Sequence, residues 1–173
     1  DKEYAKAVET AFLHYYKKGW IYRGKRVVNW CSRCGTSLSD LELEYKEEKG
    51  NLWYIKYSPN ITVATTRPET MLGDTAVAVN PKDKRYKNLI GKKVILPIQK
   101  REIPIIADSA VDQKFGTGAV KVTPAHDLVD WEIGLRHKLE SILIIDETGK
   151  MTKESKICQG LTPLECREKV IQE

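Results

Sequence analysis

The sequence predicts an α+β fold in which short strands form a closed or nearly closed, β-barrel-like core decorated by helices. Three observations carry that reading. Seven short alternating or apolar runs lie between Leu52 and Ile145, most of them ending near Gly, Pro, Asn or Asp. Apolar residues spaced by three and four are confined to the two ends and one interior stretch. The 173 residues, 41% hydrophobic and 31% charged, suffice for one well-packed domain and not for two generous ones.

In chain order, Tyr4, Val8, Phe12 and Tyr15 form a stripe at helical spacing, so a helix is expected from Tyr4 to Lys18, with Gly19 stopping it. The segment WIYRGKRVVNWCSRCG follows, and its Cys31 and Cys34 make a C-x-x-C pair beside Gly35. Such a pair is half of a tetrahedral zinc site, which wants four ligands. Cys158 and Cys166 lack that spacing, and in a cytosolic protein they are not expected to form a disulfide. The stretch from Glu47 to Gly50 reads as a hairpin turn leading to a strand at Leu52 to Tyr57. Further strands are expected at Ile61 to Thr66, Thr75 to Val79, Lys93 to Ile98, Ile103 to Ala107, Ala119 to Thr123 and Ser141 to Ile145. A short helix is expected near Asp83 to Leu89 and a longer one from Asp127 to Lys138. A last helix begins at Pro163, where Thr162 and Glu165 make a capping box, and is cut at Glu173.

Two segments hold residues that a plain core does not need. In FGTGAVKVTPAHDLVD (Phe115 to Asp130), Gly116 and Gly118 permit a tight turn or a close backbone approach. The period of two then places Lys121 and Thr123 on one face and Val120 and Val122 on the other. Pro124 ends the strand. Asp127 caps the next helix, and Asp130 lies in its first turn, where a carboxylate is favoured by roughly 0.3–1 kcal/mol and is able to hold a cation. In ITVATTRPETMLGDTAVAVNP (Ile61 to Pro81), Thr65 and Arg67 share a face before Pro68 stops the ladder, while Thr66 faces away or joins the turn. Asp127 as a simple N-cap and Lys121 as a solvated strand residue stand beside the reading of both as site residues. Two strand ends that carry Thr and Arg, and Lys and Thr, frame a pocket.

On these residues the chain closely resembles the editing insertion, the connective polypeptide, of the class I aminoacyl-tRNA synthetases for valine, isoleucine and leucine. Within that group Arg67, Lys121 and Thr123 fit the valine pattern, and the likeness runs through nearly all of the sequence. The resemblance implies two regions: 1–40, a segment linking to the synthetase catalytic core with the C-x-x-C half-site, and 41–173, the editing domain with a truncated C-terminal helix. Neither of the class I adenylation signatures is present, so amino-acid activation is not expected of this chain.

The resemblance further implies an aminoacyl-tRNA deacylase that hydrolyses threonyl-tRNA(Val), part of a ligase, with water as nucleophile. Lys121, Asp130 and Thr65 are the expected catalytic residues. Asp130 holds the α-ammonium, and Lys121 lies at the ester region. Arg67 and Thr66 with Thr65 bind the ester or terminal adenosine, Phe115 supplies a wall, and Thr123 and Asp127 read the threonyl hydroxyl. His126 is read equally as a general base and as a structural hydrogen-bonding residue. No cofactor is expected for editing, with zinc at Cys31 and Cys34 only in the larger enzyme. Expected partners are the tRNA acceptor end carrying threonine and the rest of the synthetase chain.

The formal net charge of +5 suits a polyanion but also a solvated surface. No apolar run approaches a membrane span and no signal peptide is seen, so a cytoplasmic protein is expected. Alternatives are a tRNA-positioning module without catalysis, an editing domain of the isoleucine or leucine type, and a metal hydrolase built on His126, Asp127, Asp130 and His137.

Overall fold

The computed structural model describes residues 1–173. Helix α1 spans Lys2–Lys17, capped by Asp1, and buries none of its residues. A small hairpin, β1 (Trp30–Cys31) and β2 (Thr36–Ser37), presents the C-x-x-C pair at its turn. All the buried residues lie from Tyr57 onward. There β3 (Trp53–Ser58) and β4 (Ile61–Thr65) form an antiparallel hairpin in which Ile55 faces Val63. The strands β5 (Ala76–Val79), β6 (Lys93–Ile95), β7 (Glu102–Ala107) and β8 (Ala119–Val122) form a mixed sheet in the order β6-β7-β5-β8. Helices α2 (Leu128–His137) and α3 (Pro163–Gln172) complete the chain.

The central strand β5 is parallel to β7 and antiparallel to β8, and its AVAV sequence is buried on both faces, as a continuous apolar strand should be. Val77 and Val79 belong to a main core of 17 buried residues that includes Val63, Leu96, Ile103 and Ile105. Ala76 and Ala78 turn to the other side, where Val122 and Ile133 of α2 join them in a smaller cluster. Each fully buried Ile or Val side chain stabilises the fold by about 1.5–3 kcal/mol relative to exposure.

The mixture of helix and sheet is as expected, but no closed barrel forms. The hairpin β3–β4 and the four-stranded sheet are separate ladders. β4 runs beside β8, and what joins them is a side chain: the Thr117 hydroxyl donates to the Thr62 carbonyl at 2.6 Å. The glycine turn permits this approach. Gly116 has φ +55°, and a Cβ there would lie 2.5 Å from that of Ala64. Gly118, at φ +77°, lies against the Gln113 carbonyl and the Arg85 guanidinium, so both positions need glycine.

Several local expectations are corrected. Residues 141–145 make no strand, only a single bridge from Ile145 to Met151, since no neighbouring strand offers a ladder. The β6 strand stops at Ile95 because Pro97 lacks a donor and Ile98 and Lys100 turn with positive φ. Residues 83–89 form turns, with Asp83 binding the Arg85 backbone and guanidinium in place of a helix cap. The hairpin turn falls at Pro59–Asn60 and not at Glu47 to Gly50, where the chain has no regular structure. Cys158 and Cys166 form a disulfide, against expectation, because the 3-10 turn Lys153–Cys158 and the start of α3 bring their Cα atoms to 5.3 Å.

Candidate functional site

The C-terminal ends of β4 and β8, the start of α2 and the glycine turn converge on a pocket of about 410 Å³. The Asp127 carboxylate caps α2, its Oδ1 accepting from Val129 N at 2.8 Å and Asp130 N at 3.0 Å. That cap aims Asp130 back at β8, where Asp130 Oδ2 accepts from Thr123 N at 2.9 Å. Asp130 Oδ1 makes no bond to the protein. Burial pushes the Asp130 pKa up to about 6, with Lys121 opposing the rise. The carboxylate is therefore less readily ionised than the helix start alone implies, though still mostly charged at neutral pH.

Behind the pocket lies a buried polar network. Lys121 Nζ donates to Thr123 Oγ1 at 2.7 Å, and Thr123 Oγ1 donates to Asp74 Oδ1 at 2.6 Å. Lys121 Nζ is also 3.6 Å from Asp74 Oδ1, while the Tyr57 hydroxyl donates to Asp74 Oδ2 at 2.5 Å. Asp74 is wholly inaccessible, and burial raises its pKa against the pull of Lys121. The alternation of β8 thus puts Lys121 and Thr123 together, as their spacing predicts.

On the opposite wall Arg67 N donates to Thr65 Oγ1 at 3.0 Å, which ties the two residues to one side. The Arg67 guanidinium, about half exposed, reaches the His126 carbonyl at 3.2 Å and Glu69 at 3.4 Å. Glu69 is buried and accepts two 2.8 Å bonds from Arg167 of α3. His126 Nε2 accepts from Ile144 N at 2.9 Å, which fixes a neutral ring. Burial and the cations Arg67 and Lys121 lower its pKa to about 4. The imidazole therefore holds the 141–145 segment, and its accepting nitrogen is already used.

All nine residues named from the sequence as site residues, Thr65, Thr66, Arg67, Phe115, Lys121, Thr123, His126, Asp127 and Asp130, line this pocket. His137 does not; its Nε2 is 2.9 Å from Asp108 Oδ2. Nowhere do three His, Cys, Asp or Glu side chains gather as a metal site would require. Tyr57, Glu69 and Asp74 were not anticipated. Asp74 follows Gly73 and reads as an ordinary turn residue, and the only hint is that it precedes an uninterrupted apolar strand. A second cleft of about 590 Å³ shares Arg67 and His126 with the pocket and carries Lys25, Arg26, Trp30 and Trp131.

Comparison with known proteins matches two families along the chain. Residues 1–98 match the family described as tRNA synthetases class I (I, L, M and V), and residues 88–163 match the leucyl-tRNA synthetase editing domain. A valine-tRNA ligase of Dehalococcoides mccartyi is 55% identical over 173 residues, covering 97% of this chain and 20% of the relative. That of Thermotoga maritima is 54% identical over 178 residues, covering 100% and 21%. The chain thus spans about a fifth of the length of the curated relatives it matches. Among solved structures, LeuRS of Agrobacterium radiobacter K84, in a ternary complex with tRNA and LeuAMS, superposes with a TM-score of 0.53 at 20% identity. It covers 70% of this chain and 18% of that one, a likeness of fold.

Proposed function

This chain belongs to the class I tRNA synthetases of the I, L, M and V group and carries their editing domain, and we propose that its polar pocket hydrolyses threonyl-tRNA made in error by a valine enzyme. Threonine and valine are near isosteres, so an apolar synthetic pocket cannot strongly reject the added hydroxyl, a limit for which the valine synthetases are themselves the standard example. A second site must then favour the hydroxyl. A pocket whose donors and acceptors are already buried does so, because valine leaves each such group unpaired at about 1–3 kcal/mol.

The observation that carries this reading is the pair of carboxylates at the start of α2. Each has one oxygen committed to the protein, Asp127 to the helix N–H groups and Asp130 to Thr123 N, so each keeps the other for a ligand. In this reading Asp130 Oδ1 takes the α-ammonium of the aminoacyl group, and the second oxygen of Asp127 accepts from the threonyl hydroxyl. Lys121, beside Thr123 on the β8 wall, donates to the threonyl hydroxyl and also stabilises negative charge developing at the nearby ester carbonyl. Thr65, Thr66 and Arg67 seat the ester and terminal adenosine, and Phe115, exposed at the rim, offers a stacking wall. Water is the nucleophile. The activated ester needs orientation more than a strong base, which accords with a neutral, already bonded His126.

The tRNA acceptor end is the proposed macromolecular partner, reaching the pocket along the cleft of Lys25, Arg26, Trp30 and Trp131, where cations and indole faces suit a single strand. Residues 1–40 serve as the link to the catalytic core. The whole enzyme acts in the cytoplasm. The test is deacylation of threonyl- and valyl-tRNA(Val) by parent and Asp130→Asn. Loss of one charge-assisted bond predicts a fall of about ten- to a hundredfold on threonyl-tRNA. A folded variant with the parent rate sinks the assignment.

A further inference from the structure

Asp74 lies outside the pocket lining, yet its Oδ1 faces two pocket residues while its Oδ2 is held by the core residue Tyr57. Its Oδ1 takes the Thr123 hydroxyl proton and faces the Lys121 ammonium; its Oδ2 takes the Tyr57 hydroxyl proton. Two hydroxyl donors and one ammonium converge on the two oxygens with no exposure to solvent. A carboxylate satisfies that set, whereas a carboxylic acid would have to surrender one donor. The fixed direction of these bonds has a consequence for Thr123. Its only proton is committed to Asp74, so its oxygen faces Lys121 as an acceptor and offers a substrate no donor.

We propose that Asp74 is a positioning residue for selectivity: by holding the Thr123 proton and the Lys121 ammonium from behind, it makes Lys121 Nζ the donor that the pocket presents to the threonyl group. This deepens the editing reading and rests on it. Tyr57, from β3, holds Asp74, which lies in the turn ahead of β5, and Asp74 in turn holds Thr123 at the end of β8. With the carboxylate gone, Lys121 Nζ loses its counter-ion and Thr123 is free to rotate its proton toward the ligand. The pocket then loses the fixed difference between donor and acceptor walls on which rejection of valine depends.

The experiment is a double-mutant cycle in the full chain on threonyl- and valyl-tRNA(Val), with circular dichroism as the fold control. Asp74→Asn alone is expected to cut threonyl-tRNA hydrolysis at least about tenfold and to lower the threonyl-to-valyl rate ratio. In a Lys121→Met background the same change should cost less than about threefold, since coupled residues are non-additive. Independent, multiplying losses would overturn the proposal, as would an Asp74→Asn protein with the parent rate ratio. Should Asp74→Asn fail to fold, Thr123→Val cuts the same relay at similar volume and Thr123→Ser keeps its hydroxyl. The expected outcome is a lowered ratio in the first and a parent-like ratio in the second, and an unchanged ratio in Thr123→Val overturns the inference. A parent protein that deacylates neither tRNA would instead remove the editing reading itself.

Discussion

Asp130 is held in a position that suits a ligand better than it suits the fold. Its pKa in the folded chain is raised to about 6 by burial, whereas an unfolded aspartate titrates near 3.9. The folded chain therefore binds the proton more tightly. The stability that goes with the protonated form is complete below about pH 4 and is lost as the pH rises through about 6. At pH 7 the ionised carboxylate destabilises the fold by about 3 kcal/mol, at about 1.4 kcal/mol for each pKa unit. Asp130→Asn should accordingly be more stable than the parent in urea at pH 7, with the gain shrinking toward zero near pH 4, because the amide oxygen still accepts from Thr123 N. The parent's deacylation should fall on acidification through about pH 6 as the ammonium anchor is neutralised. A variant no more stable than the parent at pH 7 would refute the burial argument. A gain in stability joined to a loss of activity is the signature of a site residue.

Helix α2 shows how an element can serve two ends at once. Its N-cap was legible because Asp127 directly precedes an apolar pattern, and the same carboxylate borders the pocket. The two roles separate by substitution. Asn caps a helix as well as Asp, and Ala costs about 1 kcal/mol. Thermal melts should place Asp127→Asn near the parent and Asp127→Ala below it, while deacylation selectivity for threonyl-tRNA falls in both. An Asp127→Asn protein that retains full selectivity would reduce Asp127 to a cap. What was readable here is local: the alternation of β4 and β8, the apolar β5, the Thr162–Glu165 capping box and the glycine turn all act within a few residues. Glu69 pairs with Arg167 across 98 residues and Asp74 reaches Thr123 across 49. Nothing in the spacing of either sequence segment encodes those meetings. Strand closure is non-local too, which is why the alternation at 141–145 promised a strand that found no partner.

Over the whole molecule, the buried core begins at Tyr57, and the apolar face of α1 and the C-x-x-C hairpin stand outside it. The two thiols sit in contact there, and their bond shifts their pKa values in opposite directions. Cys34 N donates to Cys31 Sγ at 3.4 Å and lowers the Cys31 pKa, while the bond to Cys31 raises that of Cys34. The pocket has the opposite chemistry: the Lys121 ammonium already sits beside its carboxylates, the Asp74 behind it accepts from Tyr57 and Thr123 and pairs with that ammonium, and the accepting nitrogen of His126 is occupied. A divalent ion would have to displace a cation and break the helix cap to gather ligands there. Zinc, if bound at all, should therefore sit at Cys31 and Cys34, away from the pocket, and leave editing untouched. Hydrolysis of threonyl-tRNA by the EDTA-treated protein should match that of the untreated protein. A Cys31→Ser, Cys34→Ser double variant should keep its deacylation rate, and any zinc that metal analysis finds in the larger enzyme should fall with it. Activity that vanishes in EDTA and returns with zinc would move the chemistry onto a metal and replace Lys121 as the group that stabilises the developing charge.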